Sequence, residues 1–166
     1  MQRSGGTEMK VLFFDVGYTL VNEDSVWEDR CREQAQTEEA PAVIKQLSEK
    51  YELEIIANQL DGLKERLEDF GLLQYFKYII SSWDVQVMKP DIRIFECALD
   101  KANCTPQEAC MIGDRLDNDI LPAKSLGMKT VWIKQGFGVL QKPLSKSEEP
   151  DYTINNLAEL LKIFYF

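Results

Sequence analysis

The sequence predicts an α/β domain: a doubly wound parallel sheet of five to six strands between two helical layers. Three observations lead there. Five short apolar runs and a weaker sixth recur along the 166 residues, and their lack of polar alternation suits strands buried on both faces. Stretches of helical period separate them, and strands alternating with helices imply right-handed crossovers and parallel pairing in a three-layer, Rossmann-like arrangement. The residues of greatest chemical interest stand just after the apolar runs, at the carboxyl ends of the strands, where such sheets bind ligands.

Taken in order, residues 1–8 are polar and read as a flexible leader without the apolar segment of a signal peptide. Val11 to Phe14 is the first strand. Pro41 to Lys50 sets Val43, Ile44 and Leu47 on one side of a helix, and Leu53 to Ala57 is the second strand. Leu60 to Phe70 sets Leu60, Leu63, Leu67 and Phe70 on one helical side, before a third strand at Tyr78 to Ile80. Asp91 caps a helix whose expected apolar stripe is Ile92, Phe95, Leu99 and Ala102. Thr105-Pro106-Gln107-Glu108 is a capping box with proline at the first helical position. Ala109 to Ile112 and Thr130 to Ile133 are the fourth and fifth strands, and Gly127 after Leu126 stops the helix between them. Lys142 to Pro150 is an exposed loop. Tyr152 to Ile154 is the weaker sixth strand, followed by a helix capped by Asn155 or Asn156. The terminal Phe164, Tyr165 and Phe166 are expected to close the core. Residues 9–166 thus form one domain, without internal repeats.

Composition narrows the chemistry. A hydrophobic content of 45% and a charged content of 28% are those of an ordinary globular domain. A net charge of −9 argues against nucleic acid and against an anionic membrane surface as partners. No apolar run is long enough to span a bilayer. The chain contains no histidine, which excludes Ser-His-Asp and Cys-His catalysis and any zinc site needing imidazole. Cys31, Cys97, Cys104 and Cys110 form no CxxC pair and read as free thiols of a cytoplasmic protein, with Cys97 and Cys110 as small core residues.

Acid–base or nucleophilic work therefore falls to Asp, Glu, Lys, Tyr or Cys. Asp15-Val16-Gly17-Tyr18-Thr19-Leu20 follows the first strand and Ala57-Asn58 ends the second. Met88-Lys89-Pro90-Asp91 lies beyond the third, and Gly113-Asp114-Arg115-Leu116-Asp117-Asn118-Asp119 follows the fourth. Each alone is an ordinary turn, cap or loop. Together they bring carboxylates, an ammonium group and glycines to one sheet edge, a reasonable site for a hard cation such as magnesium.

In order and spacing these segments resemble the motifs of the haloacid dehalogenase (HAD) superfamily. Asp15 and Thr19 fit its DxDxT, position 57 its Ser or Thr at the end of the second strand, Lys89-Pro90-Asp91 its KPD, and Gly113, Asp114 and Asp119 its GDxxxxD. The resemblance covers roughly residues 10–135. It implies a magnesium-dependent phosphomonoester hydrolase of small phosphorylated molecules, with Asp15 as nucleophile and Lys89 as its catalytic partner. Thr19, Asn58 and Lys89 would bind substrate, and Asp15, Gly17, Asp114 and Asp119 would hold Mg2+. Two positions depart from the pattern. Gly17 replaces the second aspartate, the family's general acid and base, whose loss is worth ~10²–10⁴-fold in rate. Ala57 replaces the phosphate-binding hydroxyl. The alternatives these departures raise are a regulatory phosphate- and metal-binding module, or other HAD chemistry such as dehalogenation. Relatives of this type also carry a helical cap after the first strand, and residues 24–39 leave room only for a vestigial cap or a linker.

Overall fold

A computed structural model describes residues 6–22, 35–36 and 39–165. Most of the expected leader, the bulk of the expected linker at 24–39, Cys31 and Phe166 lie outside the described residues. The chain runs β1 (Val11–Phe14), β2 (Val21–Asn22), β3 (Ala35–Gln36), α1 (Ala40–Ser48), β4 (Glu52–Ala57), α2 (Leu63–Asp69), β5 (Tyr78–Ser81), α3 (Ser82–Val85), α4 (Ile92–Ala102), β6 (Ala109–Gly113), α5 (Leu121–Ser125), β7 (Lys129–Ile133), β8 (Tyr152–Ile154) and α6 (Leu160–Phe164). All six expected strands are present. The additional antiparallel pair β2–β3 has two residues per strand, too short to leave a periodic signal.

The main sheet is parallel throughout, in the order β5-β4-β1-β6-β7-β8. The chain builds outward from β1 through β4 to β5, then returns to β1's other side and builds outward again. The strand order therefore reverses between β1 and β6, the position at which doubly wound sheets open a crevice beyond their carboxyl ends. The apolar runs have no solvated face because helices cover both sides. Leu12, Phe14, Leu53, Ile55 and Ile112 pack with α1, α2 and α6, while Val11, Phe13, Ile56 and Met111 pack with Ile94, Phe95 and Ala98 of α4 and Ala123 of α5.

The local signals act as their chemistry requires. The Asp91 carboxylate accepts from the Arg93 backbone N–H at the start of α4, the Thr105–Glu108 capping box forms, and Asn156 accepts from the Glu159 N–H. Gly127 ends α5 at a φ of +91°. Phe164 is buried and Tyr165 packs against the core, with the Tyr165 hydroxyl donating to the Gln46 carbonyl. Three expectations need correcting. Gly62 at φ +88° delays α2 to Leu63, so Leu60 is 77% exposed instead of belonging to its stripe. On α4 the buried residues are Ile94, Phe95, Ala98 and Leu99, because the helix is rolled toward residue 98 and Ile92, in its first turn, faces solvent. Cys110, in β6, is a core residue, but Cys97, on α4, is only half-buried; Cys97, Cys104 and Cys110 are free thiols.

One residue of the apolar runs does not belong to them chemically. Glu54 on β4 is fully buried, and neither oxygen meets a donor among the described residues. Burial, and then the neighbouring Glu52, push its carboxyl from 4.5 up to about 8, since a protonated Glu54 can donate to the Glu52 carboxylate, which accepts from Lys77 at 2.8 Å. The folded chain binds this proton more tightly than the unfolded one. The resulting stabilisation is complete below pH 4.5 and is lost as pH rises through about 8. Glu54→Gln keeps the shape and stays neutral, so thermal melts should show the variant gaining on wild type with rising pH, by ~1–3 kcal/mol on the alkaline side. Parallel pH–stability curves for the two proteins would contradict this.

Candidate active site

The β1–β6 crevice is where the acidic residues meet. Asp15 leaves the end of β1 with its N–H still bonded to the Ile112 carbonyl of β6, at 3.0 Å, and Asp114 leaves the end of β6. Asp119 returns to the same point from a π-helical turn, Leu116–Ile120, which packs against β6. Carboxylate oxygens of Asp15, Asp114 and Asp119 lie within 4.8 Å of one another. The Lys89 ammonium reaches them from the loop before α4, donating to Asp15 Oδ1 at 2.8 Å and to Asp119 Oδ1 at 2.6 Å, with its side chain almost wholly buried.

The surroundings fix these groups. Asn58 clamps the lysine's backbone: its amide donates to the Lys89 carbonyl at 2.9 Å, and its carbonyl accepts from the Lys89 N–H at 2.7 Å. Asp119 Oδ2 accepts from the Arg115 N–H at 3.1 Å. Gly113 must be glycine, because a Cβ there would lie 2.4 Å from the Asp119 carboxylate. The Asp114 carbonyl accepts from Trp132 Nε1 at 2.8 Å, while Gly138 presses on that oxygen so closely that a Cβ would fall 1.9 Å away.

Charge is unbalanced in the cluster. Three carboxylates face one ammonium group among the described residues. Burial, and then the charges of Asp15 and Asp119, push the Asp114 carboxyl up to about 9. Burial and Asp15 push Asp119 up to about 6, and Lys89 partly offsets them. Burial alone would lower the Lys89 pKa, but Asp119 and Asp15 outweigh it and hold the ammonium above its ordinary range. A cluster of oxygen donors that resists ionising without more positive charge suits a hard divalent cation.

Of the residues singled out from the sequence, Asp15, Lys89, Asp114 and Asp119 come together. Asn58 spends its side chain on the Lys89 backbone. Thr19 is fully buried in the turn after Asp15, with no partner for its hydroxyl among the described residues. Gly17 pairs with Val21 in that turn and is not among the glycines at positive φ. Trp132, Gly138 and Gln141, whose side-chain oxygen accepts from the Leu116 N–H at 2.7 Å, also shape the site. Nothing in their local sequence marks them, because each acts across a gap in the chain.

Comparison with known proteins gives a consistent picture. The chain is 42% identical over 99 residues to a glyceraldehyde 3-phosphate phosphatase of Pyrococcus furiosus, covering 60% of this chain and 41% of that protein. It is 31% identical over 109 residues to a phosphoserine phosphatase of Thermus thermophilus, covering 65% and 42%. The chain thus spans less than half the length of these curated relatives. Its fold superposes on a HAD phosphatase from Thermococcus onnurineus with a TM-score of 0.77 at 22% identity, over 93% of this chain and 97% of that one. The haloacid dehalogenase-like hydrolase family matches residues 24–133, a stretch that holds Asn58, Lys89, Asp114 and Asp119 and begins just after the Asp15 turn. The chain belongs to the haloacid dehalogenase-like hydrolases.

Proposed function

We propose that the protein is a magnesium-dependent phosphomonoester hydrolase in which Asp15 takes the phosphoryl group. The observation that carries this reading is the Lys89 ammonium bridging Asp15 and Asp119 at the sheet's switch point, with Asp114 beside them. The carboxylates of Asp15, Asp114 and Asp119 and the Gly17 carbonyl would hold Mg2+, which when bound screens the negative charge between nucleophile and phosphate. An Asp15 oxygen attacks phosphorus, the bond to the alcohol oxygen breaks, and the leaving oxygen takes a proton from solvent because position 17 has none to give. Water then attacks the phosphorus of the aspartyl-phosphate, releasing inorganic phosphate and restoring Asp15. Lys89, fixed by Asn58, offsets charge on the Asp15 carboxylate and the phosphoryl oxygens throughout.

The substrate class is a small phosphorylated molecule, in keeping with the names of the relatives. The reading also places the protein in the cytoplasm, which its free thiols suit; no described helix is long and apolar enough to cross a membrane. A second reading, a regulatory module that binds phosphate and metal without efficient turnover, draws on Gly17 and on the buried Ala57.

Phosphate release from a panel of phosphomonoesters, with magnesium and with chelator, tests the proposal. Release confined to the magnesium samples supports it, and none in either removes the hydrolase reading. Metal binding has a separate readout. At one hundred times its dissociation constant, Mg2+ should stabilise the fold by ~2.7 kcal/mol, a melting-temperature rise on the order of 5–10 °C. Asp114→Asn should lack this rise; an equal rise in the variant would place the metal elsewhere.

A further inference from the structure

The turn after β7, Gly136–Leu140, does more than connect two strands. It is seated on both elements that carry the site. Gly138 lies against the Asp114 carbonyl, and Gly136, at φ +58°, lies so close to Tyr18 that a Cβ would come 2.5 Å from the ring. Between these contacts Phe137 stands 73% exposed, its ring edge-on to Tyr18 with centroids 6.0 Å apart and planes at 76°. Tyr18 itself, three residues beyond Asp15, has a φ of +53°, a strained backbone for an aromatic residue.

Two glycines and a strained tyrosine thus hold a large apolar ring out in water beside a buried cluster of carboxylates. The arrangement leaves most of that ring's surface unburied in this chain. An exposed aromatic ring on the turn that touches both Tyr18 and Asp114, with strained backbone at Tyr18 beside it, fits a group that awaits a ligand.

We propose that Tyr18 and Phe137 form the leaving-group subsite, an aromatic edge that favours phosphomonoesters of aromatic or apolar alcohols over those of small polar ones. This rests on the reading of the Asp15–Asp114 site as phosphate-binding. With no acid group at position 17, such substrates also suit the chemistry, because a phenol leaves with less need of a proton than an alkyl alcohol.

That chemical advantage makes reaction rates a poor judge of the subsite, so the test is binding of two inert phosphonates. Phenylphosphonate and methylphosphonate carry the same type of anionic head and differ chiefly in the group that would meet Phe137. Calorimetric titration in magnesium should show wild type binding phenylphosphonate about tenfold more tightly. In Phe137→Ala, an exposed position whose truncation leaves the core untouched, the ratio should fall to about one. Methylphosphonate bound by wild type without a phenyl preference, or a preference that survives in Phe137→Ala, overturns the subsite and leaves the phosphate-binding reading standing. Failure to bind either phosphonate overturns that reading, and the subsite with it.

Discussion

Asp15→Asn is expected to reduce magnesium-dependent phosphate release to background, a loss on the order of 10⁴-fold or more relative to a competent active site. The amide keeps the carboxylate's size but is a far weaker nucleophile and does not carry the charge that draws Lys89. The fold should survive, because Lys89 retains its 2.6 Å bond to Asp119 and Asp15 is not a core residue. Matching circular dichroism and melting curves would separate lost chemistry from lost structure. Turnover above background in Asp15→Asn would mean that another group, or solvent alone, attacks phosphorus.

Gly17→Asp is expected to raise turnover by ~10²–10⁴-fold on substrates with alkyl leaving groups. The backbone at position 17 does not require glycine's positive φ, so the aspartate enters without that strain. Placed two residues beyond Asp15, its carboxyl would protonate the departing oxygen and then take the proton from the water that releases phosphate. The gain should be smaller for aryl phosphates, whose leaving groups need little help. Steady-state kinetics on an alkyl and an aryl substrate checks both parts, and an equal gain on both would contradict the assigned acid role.

Much of this site was legible in the sequence because its parts are local. Asp15, Asp114 and Asn58 each end a recognisable apolar strand, and a parallel doubly wound sheet carries such ends to one edge. Lys89 was legible by its motif, and its two ion pairs confirm that the loop before α4 folds back over β1 and β6. Other features were hidden for physical reasons. The bonds from Asn58 to the Lys89 backbone cross 31 residues of chain, which a place at a strand end does not announce. Gly136 and Gly138 are defined by what presses on them, Tyr18 and the Asp114 carbonyl, which no periodicity encodes. Glu54 was hidden by its company: inside Leu53 to Ala57 the strand pattern overrides one charged residue, and only burial shows that the proton must stay on. The exposed Leu60 and Ile92 show that periodicity finds a helix more readily than its rotation or first residue.

In the proposed reaction the phosphoryl group passes through Asp15. The most direct measurement is the mass of the protein after brief mixing with magnesium and p-nitrophenyl phosphate, followed by acid quench. Because Gly17 can provide no base for the second step, the aspartyl-phosphate should accumulate. One added phosphoryl group is expected, confined to the peptide that carries Asp15 and missing in Asp15→Asn. Hydrolysis without that adduct in wild type, or an adduct that persists in Asp15→Asn, would contradict it.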